Sequence, residues 1–550
     1  MLRKETDSER FKVCFLSQHM SDLSPFSFFR LNGTLLRRKG RKRRTEEMRK
    51  SSIAAGCLVL AFCLQAFLAI PKLSATADES LHIASGYSYW KTRDFRMEPD
   101  TPPTSKLLAA IPLLFLHAKL DTSSPVWANG AAAQSLFGYV FLYNNDADRV
   151  LFWARIPIVL LGALGIVFTF LWARDLFGPV AGTAAAALFA FCPNLLAHGT
   201  VVTSDVPVAT FIVMTLYLFW KRCERPSLLG DIATGVAIGL AMSTKFSAGI
   251  LPIIIAILLF ARERWAAIKS LAIMGVCSIV VIEASYLFAV SPLFYFQSVG
   301  GVNQYLIKDY PIYLFGQLKP GGYWYYYLAA FAVKATAPLL ILIALSVLRT
   351  FEGFVNRWGE IILLVSLGFV FATTSAVAGQ IGIRYLLPIF PLFFVWVSRV
   401  VPNLLTLRGG KVIVAGLLAW AAFSCVRVFP NYIPYINELA GGPSRGSQLL
   451  DDSNIDWGQG LKMAADYVKT RHLDHVTLYS FSPLDNPGYY GLPKNLQPPE
   501  VRAQLIGKRP APGVYIISSH KVLRMAGADP AWKKYEPIDR IGESLWVYAF

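Results

Sequence analysis

Uncharged apolar runs of about twenty residues, enough to cross roughly 30 Å of hydrocarbon, recur along the chain from residue 53 to residue 429. Their pattern predicts eleven spans, the first from Ile53 to Ile70 and the others at about 150–173, 179–197, 203–220, 229–244, 247–261, 268–290, 325–348, 359–378, 383–400 and 411–429. Ile53 to Ile70 is longer than a signal-peptide core and no small-residue cleavage site follows it, so it reads as a retained anchor. Leu107 to Leu116 is too short to cross and contains Pro112; it reads as an interfacial helix within a long loop, 71–147.

Beyond the last span the pattern changes to polar segments with Pro and Gly. Short β-like runs appear at Val476–Phe481, Val514–Ser518 and Leu545–Ala549, and Leu461, Ala464, Ala465 and Val468 give Gly458–Lys469 a helical period. The predicted organisation is a basic cytoplasmic extension (1–51), a transmembrane domain (52–429) and a small C-terminal α/β domain (430–550). No repeat of 20–50 residues is evident.

Composition agrees with a polytopic membrane protein. Of 550 residues, 54 % are hydrophobic and only 16 % charged, against about 25 % charged in soluble proteins; soluble, disordered and fibrous classes are excluded. The net charge of +18 would suggest a nucleic-acid partner in a soluble protein, but no accompanying binding motif is found. Much of the excess lies in residues 1–50, which include Arg37-Arg38-Lys39 and Arg41-Lys42-Arg43-Arg44. Such a run before a span reads as a cytoplasmic anchor facing anionic lipid; Met48 offers an alternative start that would leave 1–47 as an upstream extension.

With the N-terminus inside, Arg174, Lys221, Arg222, Arg225, Arg262, Arg264, Arg349, Arg357, Arg408 and Lys411 all fall in cytoplasmic connections, as the positive-inside rule requires. The loop 71–147, the loop 291–324 and everything beyond 430 then share the outer face, where function is expected. The seven cysteines lie mostly in apolar segments, and none follows Cys425. They imply no disulfide framework.

The first outer loop opens with Asp78-Glu79, and one of two carboxylates at an interface can serve as a general base. A solvated loop is the simpler reading of that pair alone. Asp78 and His82, four residues apart, could share a metal, although a third ligand is not apparent. Lys245 and Arg384 each stand at the outer end of a span, suited to a lipid-linked phosphate or, more simply, to headgroups. Lys334 and Glu283 fall inside spans and suggest a mutual ion pair, Tyr323–Tyr327 an interfacial aromatic belt, and Arg155 a headgroup or phosphate contact. Asp456 and Trp457 could hold a sugar or start a helix.

The run from Asp78 to Trp90, continued by Pro99-Asp100-Thr101-Pro102-Pro103-Thr104-Ser105-Lys106, resembles the first outer loop of GT-C glycosyltransferases of family 39, the branch related to protein O-mannosyltransferases and lipid A aminoarabinose transferases. Pro193–Gly199 with Thr203–Pro207, Ser243–Ser247, Arg384–Pro388 and Asp452–Gln459 match further motifs of that branch in order, so the resemblance runs from about 52 to 470. Where the bacterial branch more often has Glu-His-Pro-Pro, this chain has Asp100-Thr101-Pro102-Pro103.

The resemblance implies a GT-C fold with about eleven transmembrane helices and an inverting transfer of a sugar from polyprenyl phosphate to a protein, glycan or lipid acceptor. Asp78 would be the base with Glu79 beside it; Lys106, Lys245, Arg384 and Arg155 would bind the donor phosphate; and His82, His198, Asp205, Lys334, Asp456 and Trp457 would be further candidates. It implies no definite cofactor, with room for a divalent metal, and a bacterial inner membrane with the site outside. The competing classes are a transporter or flippase of lipid-linked sugars, which broken helices at matching positions would favour, and a non-catalytic assembly protein.

Overall fold

The computed structural model describes residues 25–291, 293–305, 310–350 and 353–550, with side chains from Thr45 onward except at 301–305. The basic run at 37–44 therefore lies outside the described side chains. The chain divides into two units, Met1–Ala54 and Ala55–Phe550, and the sheet and the candidate site belong wholly to the second.

Helices occupy every position at which a span is expected. Helix α1 runs from Pro25 to Ala69; the first outer loop contributes α2 (Glu79–Thr92), α3 (Thr104–Leu116) and α4 (Gln134–Tyr143); α5 (Ala147–Phe177), α6 (Pro179–Ala190), α7 (Pro193–Gly199), α8 (Asp205–Glu224), α9 (Leu228–Met242), α10 (Ile250–Glu263) and α11 (Ala267–Ser285) follow. After α12 (Phe294–Tyr305) and the hairpin β1–β2 (Ile312–Leu314, Gln317–Lys319) come α13 (Tyr326–Lys334), α14 (Ala337–Thr350), α15 (Arg357–Val377), α16 (Ile389–Val397) and α17 (Gly410–Val426).

Among the described residues, five helical stretches are long and apolar enough to cross a membrane, or up to seven if each of two bent pairs is one span. The stretch Phe246–Ser285, at 40 residues, is about 60 Å long at 1.5 Å per residue. That is two crossings' worth of helix, broken at Arg264, whose φ is 55°. The spans expected at 229–244, 383–400 and 411–429 coincide with apolar helices of 10–17 residues. The protein is an integral membrane protein, mostly helical, with a small sheet near its C-terminus.

Two expected spans are not straight. Helices α6 and α7 meet at 58° and α13 and α14 at 113°. Each break precedes a proline, Pro193 and Pro338, whose ring lacks an N–H and crowds the carbonyl four residues earlier. For Pro338 that carbonyl belongs to Lys334, and the Asn194 side chain of α7 donates to it at 2.7 Å. Asn437 caps the neighbouring carbonyls of Ala332 and Ala335 at 2.7 and 2.8 Å. The break between α13 and α14 is thus satisfied by side chains, one of them supplied by α7 beside the other break.

The C-terminal sheet has the order β3-β4-β6-β5, with β3 (Val476–Tyr479) parallel to β4 (Val514–Ser518) and the other pairs, β4 with β6 (Leu545–Ala549) and β5 (Asp539–Ile541) with β6, antiparallel. Alternation sends Leu478, Ile516 and Val547 to one face, against Leu461 and Ala464 of α18 (Leu461–Thr470), and Tyr515, Ile517 and Tyr548 to the other, with Val522 of α19 (Ser519–Ala528) and Trp532. The three expected strands and the helix are present; β5, three residues long, and α19 are additions.

Candidate functional site

Asp78 is the residue before α2, a position where Asp usually caps its own helix. Here it makes no side-chain cap. Its Oδ2 instead accepts from Arg384 Nη1 at 3.0 Å, and its side chain remains 41 % exposed. Arg384 sits in the short turn Ile383–Leu386 before α16. That turn is clamped from the C-terminal segment: Ile383 N donates to Asn454 Oδ1 at 2.9 Å and Ser453 Oγ to the Ile381 carbonyl at 2.7 Å. A Cβ on Gly382 would come within 2.2 Å of Ser453 Oγ, so the approach requires glycine.

The guanidinium of Arg384 lies 4.4 Å from the ring centroid of Trp457 and 5.0 Å from that of Tyr385. The other side of this group is Lys245, at the turn between α9 and α10, whose Nζ lies 4.5 Å from the Tyr385 ring and donates to Asp205 Oδ1 at 2.5 Å. Asp205 Oδ2 faces His198 Nδ1 at 3.9 Å, beyond hydrogen-bond reach, and the His198 ring is 5.8 Å from that of Trp457. Asp78, Arg384, Tyr385, Lys245, Asp205, His198 and Trp457 thus form a closed circuit, with two cations and two carboxylates. Tyr385, shared by both cations, is the member for which sequence reasoning gave no role; its only signal is its place beside Arg384.

Several expected site residues lie elsewhere. Glu79 and Arg155 form a fully buried pair, bidentate at 2.7 Å. Arg155 also donates to the carbonyls of Ile70, Leu73 and Ser74, while Glu79 accepts from the amides of Thr76 and Val202. All the N–H groups of Arg155 are engaged, so in this arrangement it has none for a phosphate. Lys106 is likewise buried, donating to the Glu98 and Thr101 carbonyls and to Tyr89 Oη and paired with the Glu98 carboxylate at 3.4 Å. Its amine is occupied by these groups, whereas the resemblance implies a phosphate contact for it.

His82 Nδ1 faces Glu98 Oε1 at 2.6 Å, an ion-pair contact, rather than a metal shared with Asp78. No group of three His, Cys, Asp or Glu side chains able to hold a metal occurs among the described residues. Lys334 does not pair with Glu283; it donates to the carbonyls of Ile433 and Asn454 at 2.6 and 2.7 Å. Asp456 accepts from Ser518 Oγ at 2.5 Å and Gly458 N at 3.0 Å, and burial pushes its carboxyl up to about 6. It shapes the loop that carries Trp457 and stands apart from the circuit. Of the aromatic cluster only Trp324 is strongly exposed; the Tyr323, Tyr326 and Tyr327 side chains are buried, and the hydroxyls of Tyr326 and Tyr327 meet Asn454 and the Gly379 carbonyl.

Residues 132–288, the stretch holding His198, Asp205 and Lys245, match the family model described as dolichyl-phosphate-mannose-protein mannosyltransferase. It is the family that the motifs pointed to. No curated protein sequence matches the chain. Among solved structures, ArnT from Cupriavidus metallidurans bound to undecaprenyl phosphate is 12 % identical with a TM-score of 0.48, over 90 % of this chain and 97 % of that one. The apo state of the same protein gives 14 % and 0.47. The oligosaccharyltransferase AglB from Archaeoglobus fulgidus, in complex with an inhibitory peptide and a dolichol-phosphate, gives 15 % and 0.44, over 68 % of this chain and 55 % of that one.

Proposed function

We propose that the chain is a GT-C glycosyltransferase that moves a sugar from a polyprenyl-phosphate donor to an acceptor at the outer membrane face, with inversion at the anomeric carbon. The observation that carries this reading is the pairing of a half-exposed carboxylate, Asp78, with Arg384, which Tyr385 bridges to a second cation, Lys245. The family matched by residues 132–288 is named for a lipid-phosphate sugar donor, which supports the same donor class here; a mannosyl group is the corresponding choice of sugar.

At rest the circuit is balanced, with Arg384 on Asp78 and Lys245 on Asp205. An arriving phosphate competes for both cations, and capture of Arg384 releases Asp78 to act as a base. The acceptor hydroxyl then attacks the anomeric carbon as Asp78 takes its proton. The bond from that carbon to the phosphate oxygen breaks, and the polyprenyl phosphate leaves carrying the bonding pair. Arg384 and Lys245 stabilise the charge that develops on it, an effect worth about 3 kcal/mol for each well-placed group.

The bent helices are the feature a transporter of lipid-linked sugars would share. The Lys334 carbonyl at one break and those of Ala332 and Ala335 beside it are occupied by Asn194 and Asn437, which favours a structural origin for the bends. Release of free polyprenyl phosphate from polyprenyl-phosphate mannose by purified protein in lipid nanodiscs tests the transferase. Arg384→Gln and Lys245→Met are expected to raise the donor KM by at least about tenfold, equal to about 1.4 kcal/mol of binding. Unchanged KM and rate in both variants would return these cations to headgroup contacts.

The proposed organisation is the basic extension 1–51 inside a bacterial inner membrane, the transmembrane domain 52–429, and the domain 430–550 outside. In a cysteine-free background, an impermeant thiol reagent outside sealed right-side-out vesicles is expected to label Lys508→Cys and spare Glu224→Cys, both exposed positions. The reverse pattern would invert the topology.

A further inference from the structure

The first outer loop buries a group of ionisable side chains that the proposed reaction leaves unused. His82, Glu98 and Lys106 have side chains 11, 3 and 1 % exposed, and Asp100 lies close by, its Oδ1 without a partner. Burying charge is costly unless it is paired, so the arrangement needs a reason.

Glu98 is its hub. Its φ is 54°, a left-handed conformation unfavourable for a residue with a side chain and doubly so before a proline, here Pro99. Three contacts hold it there: His82 Nδ1 at 2.6 Å and Lys106 Nζ at 3.4 Å on the carboxylate, and Lys106 Nζ at 3.1 Å on its own carbonyl. Burial opposes its ionisation, but His82 and Lys106 outweigh that and hold Glu98 below the usual carboxylate range.

Both partners lead toward the site. His82 is one turn into α2 from Asp78, and its amide donates to the Asp78 carbonyl at 3.1 Å. Lys106 lies in the first turn of α3. Two residues before it, Thr104 donates through its amide to the Ser243 carbonyl at 3.0 Å and through its hydroxyl to Ser243 Oγ at 2.7 Å. Ser243 is two residues from Lys245. The two helices are also in backbone contact, for a Cβ on Gly86 of α2 would come within 2.1 Å of the Lys106 carbonyl oxygen.

We propose that Glu98 is a positioning residue: through His82 and Lys106 it fixes where α2 presents Asp78 relative to the turn that carries Lys245. This rests on the reading of Asp78 as the base. Glu98 touches neither donor nor acceptor; it sets the register between the carboxylate that takes the proton and a cation that takes the phosphate. Positioning errors of about 1 Å are enough to cost on the order of 10²-fold in rate.

Glu98→Gln keeps the side chain's shape and removes its charge. In the full-length protein in nanodiscs, with polyprenyl-phosphate mannose as donor, it is expected to lower kcat by at least about tenfold while the donor KM stays within about threefold, because Arg384 and Lys245 remain. Combined with Asp78→Asn it is expected to add nothing, since both act through one carboxylate. His82→Gln, which removes the imidazole from the Glu98 carboxylate and keeps a polar side chain there, is the second variant should Glu98→Gln fail to fold, and the same kcat loss is expected from it.

A readout independent of turnover separates this inference from the function it rests on. The rate at which an impermeant methanethiosulfonate modifies Asp78→Cys is expected to change several-fold when Glu98→Gln is added. An unchanged modification rate, a wild-type kcat in a folded Glu98→Gln protein, or full additivity with Asp78→Asn would each overturn the positioning role. Wild-type turnover by Asp78→Asn with an altered modification rate would overturn the base assignment and leave the structural coupling standing.

Discussion

Turnover by Asp78→Asn at saturating donor is expected to fall about 10²–10⁴-fold, the usual contribution of a positioned general base. Asn keeps the size of the side chain and can still accept from Arg384, but it takes up no proton at neutral pH. Donor affinity is expected to hold or to rise, because Arg384 is released from a charged partner with which the phosphate would otherwise compete. The measurement is single-turnover release of polyprenyl phosphate alongside equilibrium binding of the donor. Near-wild-type turnover in a folded preparation would remove Asp78 from the mechanism and leave Asp205, already bound to Lys245, as the next carboxylate to test.

The second large effect is on stability. Arg155→Met strands the fully buried Glu79 carboxylate with only the amides of Thr76 and Val202. Breaking a buried pair from one side costs about 3–5 kcal/mol, so a sharp fall in the thermal midpoint in detergent is expected. Arg155→Met with Glu79→Gln removes both charges and is expected to recover much of the loss. Donor affinity per folded molecule is expected to be unchanged in the double variant; a loss of donor binding there would restore Arg155 to the phosphate site. The pair joins the end of α1, the first turn of α2, the span α5 and the segment before Asp205, which explains why one interaction weighs so much.

The sequence was most informative where the physics is local. Hydropathy placed the helices, and short β-like runs placed β3, β4 and β6, because each depends on neighbours a few residues away. The bends were not legible: Pro338 signals a disturbed carbonyl at Lys334, but the partner that makes the break tolerable, Asn194, lies 140 residues earlier. The same distance effect separates the cations. Arg155, Lys106, Lys245 and Arg384 look alike in sequence, each a lone charge by an apolar segment or a turn. Only the fold reveals that carbonyls and carboxylates saturate the first two, while the others flank Tyr385 and one of them meets a partly exposed carboxylate. The motifs did bring His198, Asp205, Lys245, Arg384 and Trp457 into view before their proximity was known, and they gave Tyr385 no separate part.

The segment that completes the circuit is contributed from far along the chain. Trp457 accepts from the Ala77 amide at 2.9 Å through its carbonyl, Gln459 accepts from the Ser74 amide at 3.2 Å, and Ser74 Oγ donates to the Gly458 carbonyl at 2.8 Å, a pairing across 384 residues. During biosynthesis these partners leave the ribosome only after the whole helical bundle has been made. Until then the loop bearing Asp78 has no Trp457 behind Arg384 and no Ser453 and Asn454 to clamp the arginine's turn. A nascent chain therefore lacks these contacts around Asp78 and Arg384 until residues 453–459 have been made.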